Sequence, residues 1–143
     1  MKVILPDTNI ILWTFKNGPD FREEIGRIAP DYNIMIPTCI IDELEKLDTK
    51  ESRAALSLCE SIENIDIGSG YADDLLVSAA EEGYLIATND IEILNKLKSK
   101  RINALRIREK TKLIHTEVDS RIKYLIYPPQ NLRKNSNLEK ENY

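Results

Sequence analysis

Five short apolar runs, several of them almost unbroken, alternate with longer amphipathic stretches and constrain this chain more than any other feature. The runs are "KVILP" (2–6), "NIMIP" (33–37), "IDIG" (65–68), "YLIAT" (84–88) and "ALRI" (104–107). Strands apolar at consecutive positions, rather than at alternate ones, are covered on both faces. Between the runs lie helix signatures. "PDFREEIGRI" offers Asp20 as N-cap with Glu23 three residues on, and "TCIIDELEKL" offers Thr38 ahead of a stripe of Ile40, Ile41, Leu44 and Leu47. Asp48 with Glu51, and Asn89 with Glu92, repeat the pattern. Strand–helix alternation with short connections predicts an α/β fold, three layers deep, around a four- or five-stranded parallel sheet.

The first run raises a chemical question. It ends "ILPD", so a buried strand delivers Asp7 at its carboxyl end, and an unpaired buried carboxylate is very costly. In an open parallel sheet, function gathers in the crevice beyond the strands' carboxyl ends. Other acids fall at the same kind of place: Glu43 on the helix after the second strand, Asp73 and Asp74 opening "ADDLLVSAAEEG", and Asp90 after "YLIAT". Asp74 or Asp90 alone suits a helix start, where the dipole favours a carboxylate, and Glu43 alone is one of three neighbouring acids on a helix surface. Converging, they would repel one another and hold their protons more tightly. A hard cation such as Mg²⁺ or Mn²⁺ resolves that conflict, since it accepts carboxylate oxygens and keeps water for chemistry. Cys39 and Cys59 form no ligand cluster and are expected as buried thiols, and His115 has no partner nearby in sequence.

The chain has 143 residues, enough for one domain with a proper core. One domain is expected over 1–127, with a polar tail over 128–143 and with 117–127 fitting either helix or strand. No apolar run approaches a membrane span, and "MKVILPD" meets an acid too early for a signal peptide, so the expectation is a soluble cytoplasmic protein without a membrane partner. The net charge of −4 is divided. Residues 1–95 carry 7 Lys/Arg against 19 Asp/Glu, a net of −12, and residues 96–143 carry 13 against 5, a net of +8. The basic part suits a polyanion, or is an ordinary solvated surface. Its candidate phosphate contacts are Lys96, Lys98, Lys100 and Arg101, then Arg106 and Arg108, followed by Lys110 and Lys112. Lys96 and Lys100 share a helix face, and Arg106 and Arg108 share one side of a strand.

On "ILPDTNIIL", "IPTCIIDELEKL" and "YADDLLVSAAEEGYLIATND", in order across residues 1 to 109, the chain resembles the PIN domain, a small metal-dependent ribonuclease fold with Rossmann-like topology. The resemblance implies an acidic pocket holding Mg²⁺ or Mn²⁺, with Asp7, Glu43, Asp73 and Asp90 as the metal-binding acids and Asp74 as a close rival to Asp73. It further implies Thr8, Asn9 and Thr88 as supports for the ligands, and products bearing a 5′-phosphate and a 3′-hydroxyl. The four-acid set is complete.

Two other enzymes of similar architecture fit less well. A haloacid-dehalogenase-like phosphatase needs a DxD where this chain has "DTN", and a receiver domain needs an Asp after its third strand where only Asp66 stands. The expected activity is endoribonucleolytic cleavage of single-stranded or loop RNA. "DDLLVSAA" departs from the "DxxIAAxA" run of toxin members, and "YADD…ATND" followed by "LRIREK" looks more like the archaeal PIN proteins related to the small-subunit rRNA-processing endonuclease. A VapC-type toxin is the alternative, and a non-catalytic scaffold for RNA or protein is the alternative of another class. Further expected partners are a second copy of the chain in a homodimer, an antitoxin, or a ribosome-assembly protein.

Overall fold

The computed structural model describes residues 1–109 and 112–115, with side chains through Arg106. The expectations for Lys110, for 117–127, for the tail, and for the side chains of Arg108, Lys112 and His115 lie outside the described residues. The chain opens with β1 (Val3–Pro6), α1 (Thr8–Trp13), α2 (Phe21–Ile28), β2 (Asn33–Ile34) and β3 (Ile36–Pro37). It continues through α3 (Thr38–Leu47), α4 (Lys50–Cys59), β4 (Asn64–Ile65) and α5 (Ala72–Glu81). It ends with β5 (Leu85–Ala87), α6 (Ile91–Ser99), β6 (Ala104–Glu109) and β7 (Lys112–His115).

The main sheet runs β2-β1-β5-β6-β7, parallel across its first four strands, with β7 antiparallel at the edge. The parallel part is as expected, and the antiparallel β7 is an addition. β1 is buried at every position, which explains its unbroken apolar run. Ile4 on β1 and Ile86 on β5 are both 0 % exposed. One group of helices joins α1 to α2, α3 and α4, and a second packs α5 on α6 and β5.

Several expectations shift by a residue. "NIMIP" is two strands rather than one: β2 pairs with β1, while β3 leaves the main sheet to pair with β4. Thr38 is not an N-cap, since Pro37 holds that position and no side chain caps α3. Asp48 closes α3 instead of opening α4, with a left-handed φ of 49°. That reversal moves the start of α4 to Thr49, whose hydroxyl accepts from Ser52 N at 3.0 Å while Ser52 Oγ accepts from Thr49 N at 2.7 Å. Asn89 likewise yields to Asp90 as the cap of α6. Asp20 caps α2 as expected, accepting from Arg22 N at 2.9 Å. Helix α1 was not anticipated. Apart from Asn9 it is buried throughout, so no polar stripe marks it as a helix. Trp13 then closes against Gly18, where an added Cβ would meet its Cδ1 at 2.4 Å.

Candidate functional site

The chain leaves β1 toward β2 on one side and returns as β5 on the other, so the topological switch point lies between β1 and β5. A crevice opens there at the strands' carboxyl ends, as it does in open α/β sheets generally. Main-chain bonds extend the ladder one step past each strand. Asp7 N donates to Ala87 O at 2.8 Å, and Thr88 N donates to Leu105 O at 3.0 Å. Asp7 and Thr88 are therefore held by the sheet itself.

Asp7 is only 6 % exposed. Its Oδ1 accepts from Thr8 N at 2.7 Å, and its Oδ2 accepts from Thr88 Oγ1 at 2.7 Å. Burial raises its pKa above the ordinary 3.8, the two hydrogen bonds oppose that, and the charges of Glu43 and Asp73 add to it. Thr88, fully buried, also accepts from Asp90 N at 3.0 Å, so one hydroxyl ties two of the acids together. Thr8 does the corresponding work across the cleft, donating its hydroxyl in a short bond to Glu43 Oε1. Thr8 and Thr88, expected as supports, each donate a hydroxyl to one of the acids. Asn9 lines the cleft, and no hydrogen bond from its side chain stands among the described residues.

Asp90 sits at the mouth as the N-cap of α6, its Oδ1 accepting from Glu92 N at 2.8 Å and more weakly from Ile93 N at 3.4 Å. Asp73 stands opposite in the first turn of α5. Its pKa is raised by burial and then by Asp90, Glu43 and Glu92, with Lys96 pulling the other way. Asp7, Glu43, Asp73 and Asp90 thus line one open cleft of about 370 Å³, together with Thr8, Asn9, Lys46 and Leu47. Asp74, the rival to Asp73, is absent from that lining. It is exposed and faces Lys96 Nζ at 3.7 Å.

A further acid joins the group. Oxygens of Asp73, Asp90 and Glu92 lie within 4.8 Å of one another, close enough to share one cation. The donor set is all carboxylate, which fits an oxygen-preferring hard cation better than a soft one. Sequence reasoning treated Glu92 only as a capping partner. The signal available was its place two residues after Asp90 in the first turn of α6. Lys46 and Leu47 were also missed, although they follow Glu43 by three and four residues and so share its helix face.

The basic cluster is arranged less simply. Lys96 and Lys100 share a face as expected, and that face turns toward α5, where they meet Asp74 at 3.7 Å and Glu81 at 3.0 Å. Lys98 and Arg101 are exposed. Arg106 is half-buried on β6, and its Nε is enclosed without a hydrogen-bond partner among the described residues. Ile93, Leu94 and Leu97 face the core, as their spacing implied.

Fold and site together define a doubly wound α/β protein with an acid-lined cleft at its switch point. The chain belongs to the PIN-like domain family, whose profile, described as "PIN like domain", matches residues 3–110. It is similar to "Ribonuclease VapC4" of Methanocaldococcus jannaschii, 33% identical over 122 residues, covering 77% of this chain and 93% of that one. It is also similar to the solved "PIN domain endonuclease Utp24", with a TM-score of 0.70 and 25% identity over 84% of this chain and 95% of the other.

Proposed function

We propose that this chain is a Mg²⁺- or Mn²⁺-dependent endoribonuclease that cuts single-stranded or looped RNA. The observation that carries this reading is the arrival of Asp7, Glu43, Asp73 and Asp90 in one cleft from four separate segments of chain. Relatives named as a ribonuclease and as an endonuclease support it. Glu92 adds an oxygen beside Asp73 and Asp90. A divalent ion in such a site supplies an activated water and offsets charge on the phosphodiester. The chain's own residues set the geometry. The sheet and Thr88 hold Asp7 rigid, Thr8 aims Glu43, and the capping bonds fix Asp90 Oδ1 while leaving Oδ2 free of hydrogen bonds among the described residues. Asp73 is the metal-binding acid of α5, because Asp74 points to Lys96. Cleavage leaves a 5′-phosphate and a 3′-hydroxyl.

The first biological role proposed is ribosomal RNA processing in the cytoplasm, with a ribosome-assembly partner. A second role, as a VapC-type toxin with an antitoxin partner, is favoured by the 33% identity to a protein carrying that name over 93% of its length. The activity is tested by incubating the purified chain with single-stranded and stem-loop RNAs in Mg²⁺, Mn²⁺ or EDTA, beside Asp7→Asn. Metal-dependent cleavage that disappears in the variant is expected. Cleavage undiminished in EDTA or in Asp7→Asn would overturn the site, and RNA binding without any cleavage would favour the scaffold. Induced expression separates the roles, since general arrest of growth marks a toxin and altered pre-rRNA ends mark a processing enzyme.

A further inference from the structure

The acid cleft has one basic residue on its wall. Lys46 lines it beside Glu43, Asp73 and Asp90, yet among the described residues its ammonium makes no ion pair with any of them. That is unusual company for a lysine. Glu43 stands three residues before it on the same face of α3, the spacing at which helical ion pairs form, but Glu43 Oε1 is instead taken by the Thr8 hydroxyl. The exposed Lys46 head group therefore remains at the cleft without a partner among the described residues. Leu47 follows it on the same wall and is 46 % exposed, so its apolar side chain is open to the cleft.

Charge arithmetic gives this cation a task. The four carboxylates carry −4 when ionised, and one divalent ion leaves −2. A phosphodiester arriving with its own negative charge is still repelled unless something positive meets it within the cleft. Lys96 and Lys100 are not on the cleft wall; they face Asp74 and Glu81 on α5, so phosphates they meet lie outside the cleft. We infer that Lys46 binds the phosphate of the RNA at or next to the bond being cut, with Leu47 beside it as the surface for the adjoining sugar or base. The inference rests on the ribonuclease reading above and adds a residue outside the acid set. A lysine in the last turn of α3 also suits the helix dipole, but that role touches stability and not RNA.

The test compares the full-length wild type with Lys46→Gln and Lys46→Arg on a fluorescent single-stranded RNA. Cleavage is followed in Mn²⁺ across a salt series. RNA affinity is followed by anisotropy with Ca²⁺ replacing Mn²⁺, and Mn²⁺ affinity by calorimetry. Loss of a charge-assisted phosphate contact in Lys46→Gln is expected to lower kcat/KM and RNA affinity by about ten- to a hundredfold. The log–log salt slope should flatten by about 0.7, one phosphate contact on a single strand. Lys46→Arg should restore most of the loss. Mn²⁺ should bind the glutamine variant as tightly as wild type or more tightly, because a repelling charge has gone. Wild-type kcat/KM and salt slope in Lys46→Gln would overturn the inference. So would a loss matched by weakened Mn²⁺ binding, which would mean a damaged acid site. A wild type that binds RNA without cutting it, with binding still weakened in Lys46→Gln, would overturn the nuclease reading and leave the lysine's role standing.

Discussion

Thr88→Val is the most informative single change, because it removes one oxygen and almost no volume from the centre of the site. Thr88 is 0 % exposed, so no water is at hand to replace what is lost. The hydroxyl makes two bonds: it donates to Asp7 Oδ2 at 2.7 Å and accepts from Asp90 N at 3.0 Å. The first is charge-assisted and worth about 1.5–3 kcal/mol, and the second about 0.5–1.5 kcal/mol, which together put the cost near 3 kcal/mol at neutral pH. For a domain of this size that is a fall in Tm of roughly 10 °C. The deficit should depend on pH in a definite direction. The Thr88 bond favours ionised Asp7 and lowers its pKa against the effect of burial, so removing it raises that pKa further. Asp7 is charged above its folded pKa, and there the deficit is largest. It should shrink as acid protonates Asp7, leaving mainly the weaker bond to Asp90 N. Urea unfolding in EDTA at several pH values measures this, with Thr88→Ser expected to recover most of the stability. Divalent affinity should fall about ten- to a hundredfold, as when other groups that orient metal ligands are lost. A valine variant within about 1 kcal/mol of wild type at pH 7, or a deficit equal at acid and neutral pH, would show that the bond to ionised Asp7 is not what matters.

Asp7→Asn should abolish cleavage and yet leave the metal-free fold more stable at neutral pH, since the folded protein holds Asp7 with a raised pKa. A raised carboxylate pKa contributes stability below the ordinary value of 3.8 and loses it as pH rises through the folded value, so the metal-free wild type should weaken along that rise while the variant changes less. Unfolding curves in EDTA check this, and added Mn²⁺ should stabilise wild type more than the variant. Asp73→Asn should depress metal affinity and cleavage at least tenfold, whereas Asp74→Asn should alter both less than about threefold, a contrast read by calorimetry and RNA cleavage. Neutralising Lys96, Lys98 and Lys100 together to alanine should weaken RNA binding across sequences and flatten its salt slope by about 0.7 for each true contact; an unchanged slope would leave the cluster as surface paired to α5.

How much of this was legible in the sequence depends on whether a residue acts locally or across the fold. The parallel sheet was readable, because unbroken apolar runs at β1 and β5 report burial on two faces. The convergence of the acids followed from their place at strand ends and helix starts, which is a topological matter. What escaped reading was set at the scale of one residue or by distant packing. Asp48 was expected to open a helix, but its left-handed backbone closes α3 and passes the cap to Thr49. Helix α1 hid because almost all of it is buried. Met35 does not look different from its neighbours, although the chain changes sheets there, from β2 to β3. The preference for Asp73 over Asp74 came from the family resemblance; in the structure Asp73 lines the cleft and Asp74 faces Lys96.

The main-chain bonds between Asp7 N and Ala87 O, and between Thr88 N and Leu105 O, have a consequence for how such a protein can change over time. Backbone bonds are indifferent to side-chain identity, so the spacing between Asp7 and the Thr88–Asp90 corner is inherited from the ladder itself. Apolar exchanges along β1, β5 and β6 leave it standing as long as volume is conserved. Glu43 and Asp73 have no such guarantee, because they ride on helices whose positions depend on packing and on the Thr8 hydroxyl. One half of the cleft is therefore buffered against drift and the other is tunable. Substitutions that adjust activity without destroying it should collect on the α3 and α5 side.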